Sequence, residues 1–245
     1  KNGYRIPNSI LQVAASINGK YEFVFVDGNR ETNPWEKIKK YLDTGEFKFF
    51  GCTVMPGPQL KQAIPFTKKI REEYPEVLNI WGGYFASNQY DTALNSGFVD
   101  YIINGQGDYA FPQLLDKITE GTNNFEEINN LIFKKEDQII KTKKEFVSDL
   151  NGLPDFPYSK LNEYYPLKGY LKKTFLGNRT SAYHASFGCP FTCSFCAVVP
   201  IYNARWKSKS AENIYKDIKY LINCSSTSSY HKGIDFFIKE CYRCS

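Results

Sequence analysis

Three cysteines stand within the run Ser186-Phe187-Gly188-Cys189-Pro190-Phe191-Thr192-Cys193-Ser194-Phe195-Cys196, which contains no charged side chain. A C-x3-C-x2-C array this dense points to thiolate chemistry, with the sulfurs converging on a metal ion or an iron–sulfur cluster. Gly188 allows a turn without a Cβ penalty, and Pro190 fixes one φ and removes one donor. Three thiolates on a four-iron cube leave one iron open, and an open metal position is a mark of catalytic rather than structural sites. From spacing alone, a zinc loop or free buried thiols compete with this reading. Cys193-x2-Cys196 could pair with Cys241-x2-Cys244 as a four-thiolate zinc site, although the gap between the pairs is long and Cys189 is left unused. The tail pair also reads as incidental.

A second set of residues suited to holding a ligand is glycine-rich. Gly82-Gly83 and Gly105-Gln106-Gly107 each follow a predicted strand, where an open α/β sheet binds ligands at its carboxyl edge and where glycine admits a close approach. Tight turns are the plain alternative. No G-x-G-x-x-G occurs, which argues against an ordinary dinucleotide site.

The elements that must position these residues alternate. Apolar periodicity predicts helices at 8–17, 34–42, 59–74 (kinked or restarted at Pro65), 90–95, 109–119 and 211–222, the last capped by Ser210. Strands are predicted at 21–26, 47–54, 77–81, 98–103, 181–186 and 233–238. A polar turn at 134–137 between Leu131-Ile132-Phe133 and Gln138-Ile139-Ile140 predicts a hairpin. Residues 151–170, rich in proline and tyrosine with little periodicity, read as a linker, and 175–180 as loop. Strand–helix alternation with short links predicts an α/β fold with a parallel, doubly wound sheet.

The 245 residues suffice for one large domain or two modest ones. Hydrophobic residues make up 42% and charged residues 23%, as in ordinary globular proteins; there is no membrane-length apolar run, and no signal peptide is expected from the residues that open the sequence. Net charge is +5, but the lysines are interspersed with acids, as in Lys134-Lys135-Glu136-Asp137, which weighs against a nucleic-acid stripe. Seven cysteines in no disulfide spacing, with Cys52, Cys224, Cys241 and Cys244 outside the array, fit a reducing cytoplasm.

The cysteine run resembles the signature of the radical S-adenosylmethionine superfamily: C-x3-C-x2-C with an aromatic residue, Phe195, just before the last cysteine, led in by Ser186-Phe187-Gly188 and carrying Pro190. Residues 1 to about 140 resemble the cobalamin-binding domain that precedes the radical module in B12-dependent members. The matching pieces are Gly51-Cys52-Thr53, Trp81-Gly82-Gly83-Tyr84-Phe85 and Asp100-Tyr101-Ile102-Ile103-Asn104-Gly105-Gln106-Gly107-Asp108. Gln106 and Asp108 depart from the Gly-Glu-Gly-Glu usual there, Phe85 stands where relatives carry His, and the Asp-x-His-x-x-Gly corrinoid motif is absent.

The resemblance implies a Rossmann-like domain over 1–145, a linker over 146–178 and the start of a radical SAM (β/α) partial barrel over 179–245. It implies that Cys189, Cys193 and Cys196 hold a [4Fe–4S] cluster, that S-adenosylmethionine chelates the open iron, and that Phe191 and Phe195 pack around cluster and adenine. Plain hydrophobic packing is the alternative for both rings. Cobalamin would lie against Gly82, Gly83, Gly105, Gln106 and Gly107, with no lower ligand from the absent motif. A 5′-deoxyadenosyl radical would then attack an unreactive carbon of a small-molecule substrate, with methyl transfer as one outcome and flavodoxin or ferredoxin as electron donor. His184 reads as a strand histidine or a polar contact near the cofactor. No side chain is assigned as acid, base or nucleophile.

Against that family, a first strand is expected upstream of Lys1 and most of the barrel downstream, and Ile238-Lys239-Glu240 replaces the usual acidic pair. The chain is therefore expected to be a fragment. A corrinoid-binding module with a vestigial radical half is the remaining rival. A radical methylthiotransferase would need several cysteines in the first domain, where only Cys52 occurs.

Overall fold

A computed structural model of the chain describes residues 4–175 and 177–225, and the backbone of 235–238. Cys241, Cys244 and Glu240, invoked above, lie outside the described residues, as does the start of the strand expected at 233–238.

In chain order the elements are α1 (Asn8–Ile17), α2 (Pro34–Leu42), β1 (Phe49–Thr53), α3 (Pro58–Glu73), β2 (Leu78–Gly82), α4 (Tyr84–Asn88), α5 (Tyr90–Asn95), β3 (Tyr101–Ile103) and α6 (Ala110–Thr119). They continue with β4 (Leu131–Lys135), β5 (Gln138–Lys141), α7 (Tyr158–Tyr164), β6 (Lys172–Thr174), β7 (Gly177–Tyr183), β8 (Ser186–Gly188), α8 (Val199–Tyr202), β9 (Trp206–Ser208), α9 (Ala211–Ser225) and β10 (Asp235–Ile238).

The chain divides into two compact bodies, neither continuous in sequence. One comprises 33–147 and 190–205; the other comprises 1–32, 148–189 and 206–245. The sequence reading places 1–145 in one domain, 146–178 in a linker and 179–245 in a second domain; in the structure 1–32 groups with the later residues and 190–205 with the earlier ones.

The first body is an α/β sheet in the order β1-β2-β3-β4-β5. β1, β2 and β3 are parallel, with Gly51 beside Ile80 and Trp81 beside Ile102, while β4 and β5 are antiparallel. The hairpin expected at 131–140 is present and extends this sheet. Its two turn residues, Glu136 and Asp137, both have positive φ (49° and 62°), the geometry that matches strand twist in a two-residue loop. Helices cover both faces. On the Trp81 face, Val54, Trp81, Ile102 and Ile132 pack with Ala63 of α3, Ala86 of α4 and Leu94 of α5. On the opposite face the Phe111 ring of α6 comes within 3.7 Å of where a Cβ on Gly51 would stand. α3 runs through Pro65 as one helix, so the expected restart there is corrected; the lost N–H costs one bond in a helix anchored by buried Ala63, Thr67 and Ile70.

In the other body, β7, α9 and β10 form a strand–helix–strand unit with the two strands parallel, Ser181 beside Phe236. β6 adds to β7 antiparallel, and 177–180, read as loop, are part of strand β7, which ends at Tyr183 rather than running over 181–186 as expected. Ser210 caps α9 as expected, its Oγ accepting the Asn213 N–H at 3.2 Å.

Two further expectations fail here. Residues 21–26 form no strand, and Phe25 is buried among Leu11, Ala14, Tyr158, Leu161, Tyr165 and Tyr170. Residues 151–170 are not a linker. They supply α7 and half of that core, because Tyr158, Leu161, Tyr165 and Leu167 come to one side once the short helix forms. The aromatic tyrosine body carries the burial, and the hydroxyls mostly find partners: Tyr170 donates to Asp27 at 2.8 Å, and Tyr165 to Glu31 at 2.6 Å.

Tyr158 is the exception. Its hydroxyl is buried with no hydrogen-bond partner, and burial pushes its pKa up. An unpaired buried hydroxyl is a cost that phenylalanine would not carry. Tyr158→Phe is expected to leave stability unchanged or raise it by up to about 1 kcal/mol in urea unfolding followed by circular dichroism. A loss above about 1 kcal/mol would show that the hydroxyl has a partner.

Candidate functional site

The glycines predicted to face a ligand do gather at the carboxyl edge of β1, β2 and β3. Gly83 follows β2 with φ 89°, and a Cβ there would stand 2.9 Å from the Val54 carbonyl and 3.0 Å from Thr53 Oγ1. Its need for glycine is thus set by the adjoining backbone: the Val54 N–H donates to the Gly82 carbonyl, and the Phe85 N–H to the Val54 carbonyl. Phe85 packs edge-on against Trp81. Gly83→Ala is expected to cost about 1–3 kcal/mol of unfolding stability, through a strained φ and the displaced Val54 backbone. A loss below about 0.5 kcal/mol would mean that this edge yields easily.

Gly105 follows β3 with φ 99°. Its N–H donates to Ser87 Oγ at 2.9 Å, and that hydroxyl donates to the Ile103 carbonyl. Gln106 is buried. Its Oε1 accepts the Val147 N–H at 3.0 Å, and its carbonyl accepts from Asn130 Nδ2 at 3.3 Å. Asn130 is held in turn by the Glu145 N–H and carbonyl. Gly107 lies beyond Gln106, and its carbonyl accepts the Phe111 N–H at the start of α6.

Two amide nitrogens at this edge, Asn104 Nδ2 and Gln106 Nε2, are buried without a partner. Their orientation is fixed, because Asn104 Oδ1 accepts from Lys144 Nζ and Gln106 Oε1 from a backbone N–H. Buried orphan donors at a strand edge suit an acceptor-rich ligand, so the edge fits a corrinoid with its amide and phosphate oxygens. Asn104, Ser87, Asn130 and Lys144 were not singled out by the sequence. Asn104 sits inside a quoted motif, and the other three carry no local signal.

The cysteine loop begins after the β8–β9 pairing, in which Gly188 faces Trp206. Cys189 closes one body; Cys193 and Cys196 belong to the other. All three are half-buried free thiols. The Cys196 N–H donates to the Cys193 carbonyl at 3.1 Å, and Val199 N–H to Cys196. Gly188 turns the chain with φ 85°.

Phe195 is 86% exposed and Phe191 57%, so neither ring is taken up by the packing of the described residues. Among the described residues no three His, Cys, Asp or Glu side chains stand at metal-binding spacing. By donor type the thiols fit an iron–sulfur cluster, and a site of this kind assembles as its metal enters. His184 stands edge-on to Phe187, at 5.9 Å between centroids, in the two-residue link between β7 and β8, so it is not the strand histidine expected. Cys52 lies apart on β1, where burial pushes its thiol up to about 12, the environment of an inert cysteine. No described helix is long and apolar enough to cross a membrane.

No protein-family model matches the chain. It is 24% identical over 225 residues to the anaerobic magnesium-protoporphyrin IX monomethyl ester cyclase of Cereibacter sphaeroides, covering 90% of this chain and 34% of that protein. It is 26% identical over 165 residues to the hopanoid C-3 methylase of Methylococcus capsulatus, covering 64% of this chain and 29% of that protein. The chain thus spans about a third of the length of these relatives.

Among solved structures, the cobalamin-dependent S-adenosylmethionine radical enzyme OxsB, with aqua-cobalamin and S-adenosylmethionine bound, superposes with a TM-score of 0.71 at 17% identity. The match covers 90% of this chain and 30% of OxsB. The radical S-adenosylmethionine methyltransferase TsrM of Kitasatospora setae superposes at 0.65 with 15% identity, covering 89% of this chain and 43% of TsrM. The chain has the fold of the cobalamin-dependent radical S-adenosylmethionine enzymes.

Proposed function

We propose that this chain carries the cobalamin-binding domain and the cluster loop of a cobalamin-dependent radical S-adenosylmethionine enzyme. The observation that carries the reading is that a loop of three free thiols, C-x3-C-x2-C, runs into a segment docked on the body whose glycine-bearing strand edge leaves two amide donors unpaired. Cys189, Cys193 and Cys196 would hold a [4Fe–4S] cluster. When bound, such a cluster supplies the one electron that cleaves S-adenosylmethionine to methionine and a 5′-deoxyadenosyl radical.

The protein's own work is placement and shielding. The uncharged loop keeps carboxylates away from the thiolates. Phe195, exposed beside the last cysteine, offers a ring face to an adenine. Asn104 and Gln106 offer donors to a corrinoid. The finer outcome, methyl transfer to an unactivated carbon, accords with the named activity of the hopanoid relative, and ring formation with that of the cyclase. A one-electron donor such as a flavodoxin and a cytoplasmic setting belong to the same reading.

The test is anaerobic reconstitution with iron and sulfide, then incubation with S-adenosylmethionine, a strong reductant and hydroxocobalamin. Formation of 5′-deoxyadenosine and a protein-bound corrinoid spectrum supports the reading. Corrinoid uptake without cleavage would favour a binding module, and one zinc without sulfide would end the radical reading.

A further inference from the structure

The segment after Cys196 holds only the four-residue helix α8 with a turn on either side, too short to be stable alone, so its position comes from contacts with the sheet body to which it belongs. Such contacts exist inside that body. Ile201 is buried, and the Tyr202 ring stands edge-on to Phe146 at 5.8 Å. Asn88 Nδ2 reaches the Ala197 carbonyl at a long 3.5 Å. The tightest polar contact belongs to Lys144, whose Nζ donates to the Pro200 carbonyl at 2.6 Å and to Asn104 Oδ1 at 3.1 Å.

Lys144 is an odd residue for its place. Among the described residues it takes part in no ion pair, and its two acceptors are neutral oxygens. Burial, with Lys141 nearby, pulls its pKa down to about 8. A half-buried ammonium without a carboxylate is unfavourable unless its hydrogen bonds do something an apolar chain could not. Gly105 makes room for it: a Cβ there would stand 3.2 Å from Lys144 Cε and 3.6 Å from the Ile201 carbonyl.

We propose that Lys144 is a positioning residue for the cysteine loop, tying the Pro200 carbonyl to Asn104 at the end of β3 and so fixing the segment that follows Cys196. The tie is a property of the apoprotein. Its consequence for a cluster rests on the functional reading above, and the two are tested separately.

The test uses the full chain. In the apoprotein, hydrogen–deuterium exchange of a peptide covering 197–205 reads the amides of Ile201, Tyr202 and Asn203, which bond to Val198 and Val199. Lys144→Met keeps the apolar stem and removes the donor. Exchange of these amides is expected to rise about tenfold, the size of one charge-assisted bond lost, while the melting temperature holds. Lys144→Arg, which can still donate to both oxygens, is expected to restore protection. Lys144→Ala serves as second variant should the methionine form fold poorly. Unchanged exchange in both variants would overturn the proposal.

After anaerobic reconstitution, the methionine variant is expected to bind iron but to show g-values displaced from wild type, a change that a merely structural lysine would not cause. Identical g-values would overturn the role in positioning the cluster. If the wild type binds no iron while the exchange effect stands, the tie survives and the functional reading falls.

Discussion

Cys193→Ala is expected to give a folded protein that no longer holds iron. Wild type reconstituted without oxygen should carry about four iron and four sulfide per chain, with a broad absorption near the visible blue edge. The alanine variant should carry under about a tenth of that, because two remaining thiolates do not retain a four-iron cube. Cys193 is half-exposed and lies in a turn, and the described side chains pack no core on it. Far-ultraviolet circular dichroism should therefore be unchanged, which separates loss of the ligand from loss of the fold. Cys52→Ala is the control. That thiol sits apart on β1 with its ionisation suppressed by burial, so iron content should match wild type. The outcome that sinks the cluster reading is full iron in the Cys193 variant, or a single zinc and no sulfide in wild type.

The second large effect is structural. Trp81→Ala is expected to cost about 3–5 kcal/mol, enough to consume much of the stability of a domain this size. Trp81 is 1% exposed on the central parallel strand β2. Its ring meets Phe85 and Phe98, and its indole N–H donates to Thr67 Oγ1 at 3.0 Å on α3. The substitution opens a cavity under three helices and strips a donor from a buried hydroxyl, although Thr67 Oγ1 keeps its own bond to the Ala63 carbonyl. Because Gly82 and Gly83 follow directly, the damage should reach the glycine-bearing edge. Urea unfolding by circular dichroism measures the first effect, and corrinoid titration the second. Trp81→Phe, keeping most of the volume, should lose markedly less. Equal losses in the two variants would mean that the indole hydrogen bond, not the packed volume, holds the sheet to α3.

Much of the fold was legible along the chain where one period dominated. α1 and α2 lie at the residues their apolar spacing marks, and the hairpin around Glu136-Asp137 is fixed by a polar turn between two apolar runs. The cysteine array stands out for another reason: residue type and local spacing are properties of the sequence itself, and its role as a ligand set remains the proposal tested above. The glycines after β2 and β3 were legible as backbone turns.

What the tertiary structure alone decided are the matters that depend on distant partners. Residues 21–26 have strand composition but join no strand among the described residues, and Phe25 goes into a core instead. Residues 151–170 look like a linker because prolines interrupt the pattern, yet their tyrosines complete that same core with α1 and α9, since burial counts apolar area and not periodicity. Gly83 answers to the Val54 backbone, and Gly105 to the stem of Lys144. Lys144 itself has no mark in the sequence among its neighbouring lysines. Only the approach of a carbonyl from residue 200, without an ion pair to Lys144 among the described residues, separates it from a solvated surface charge.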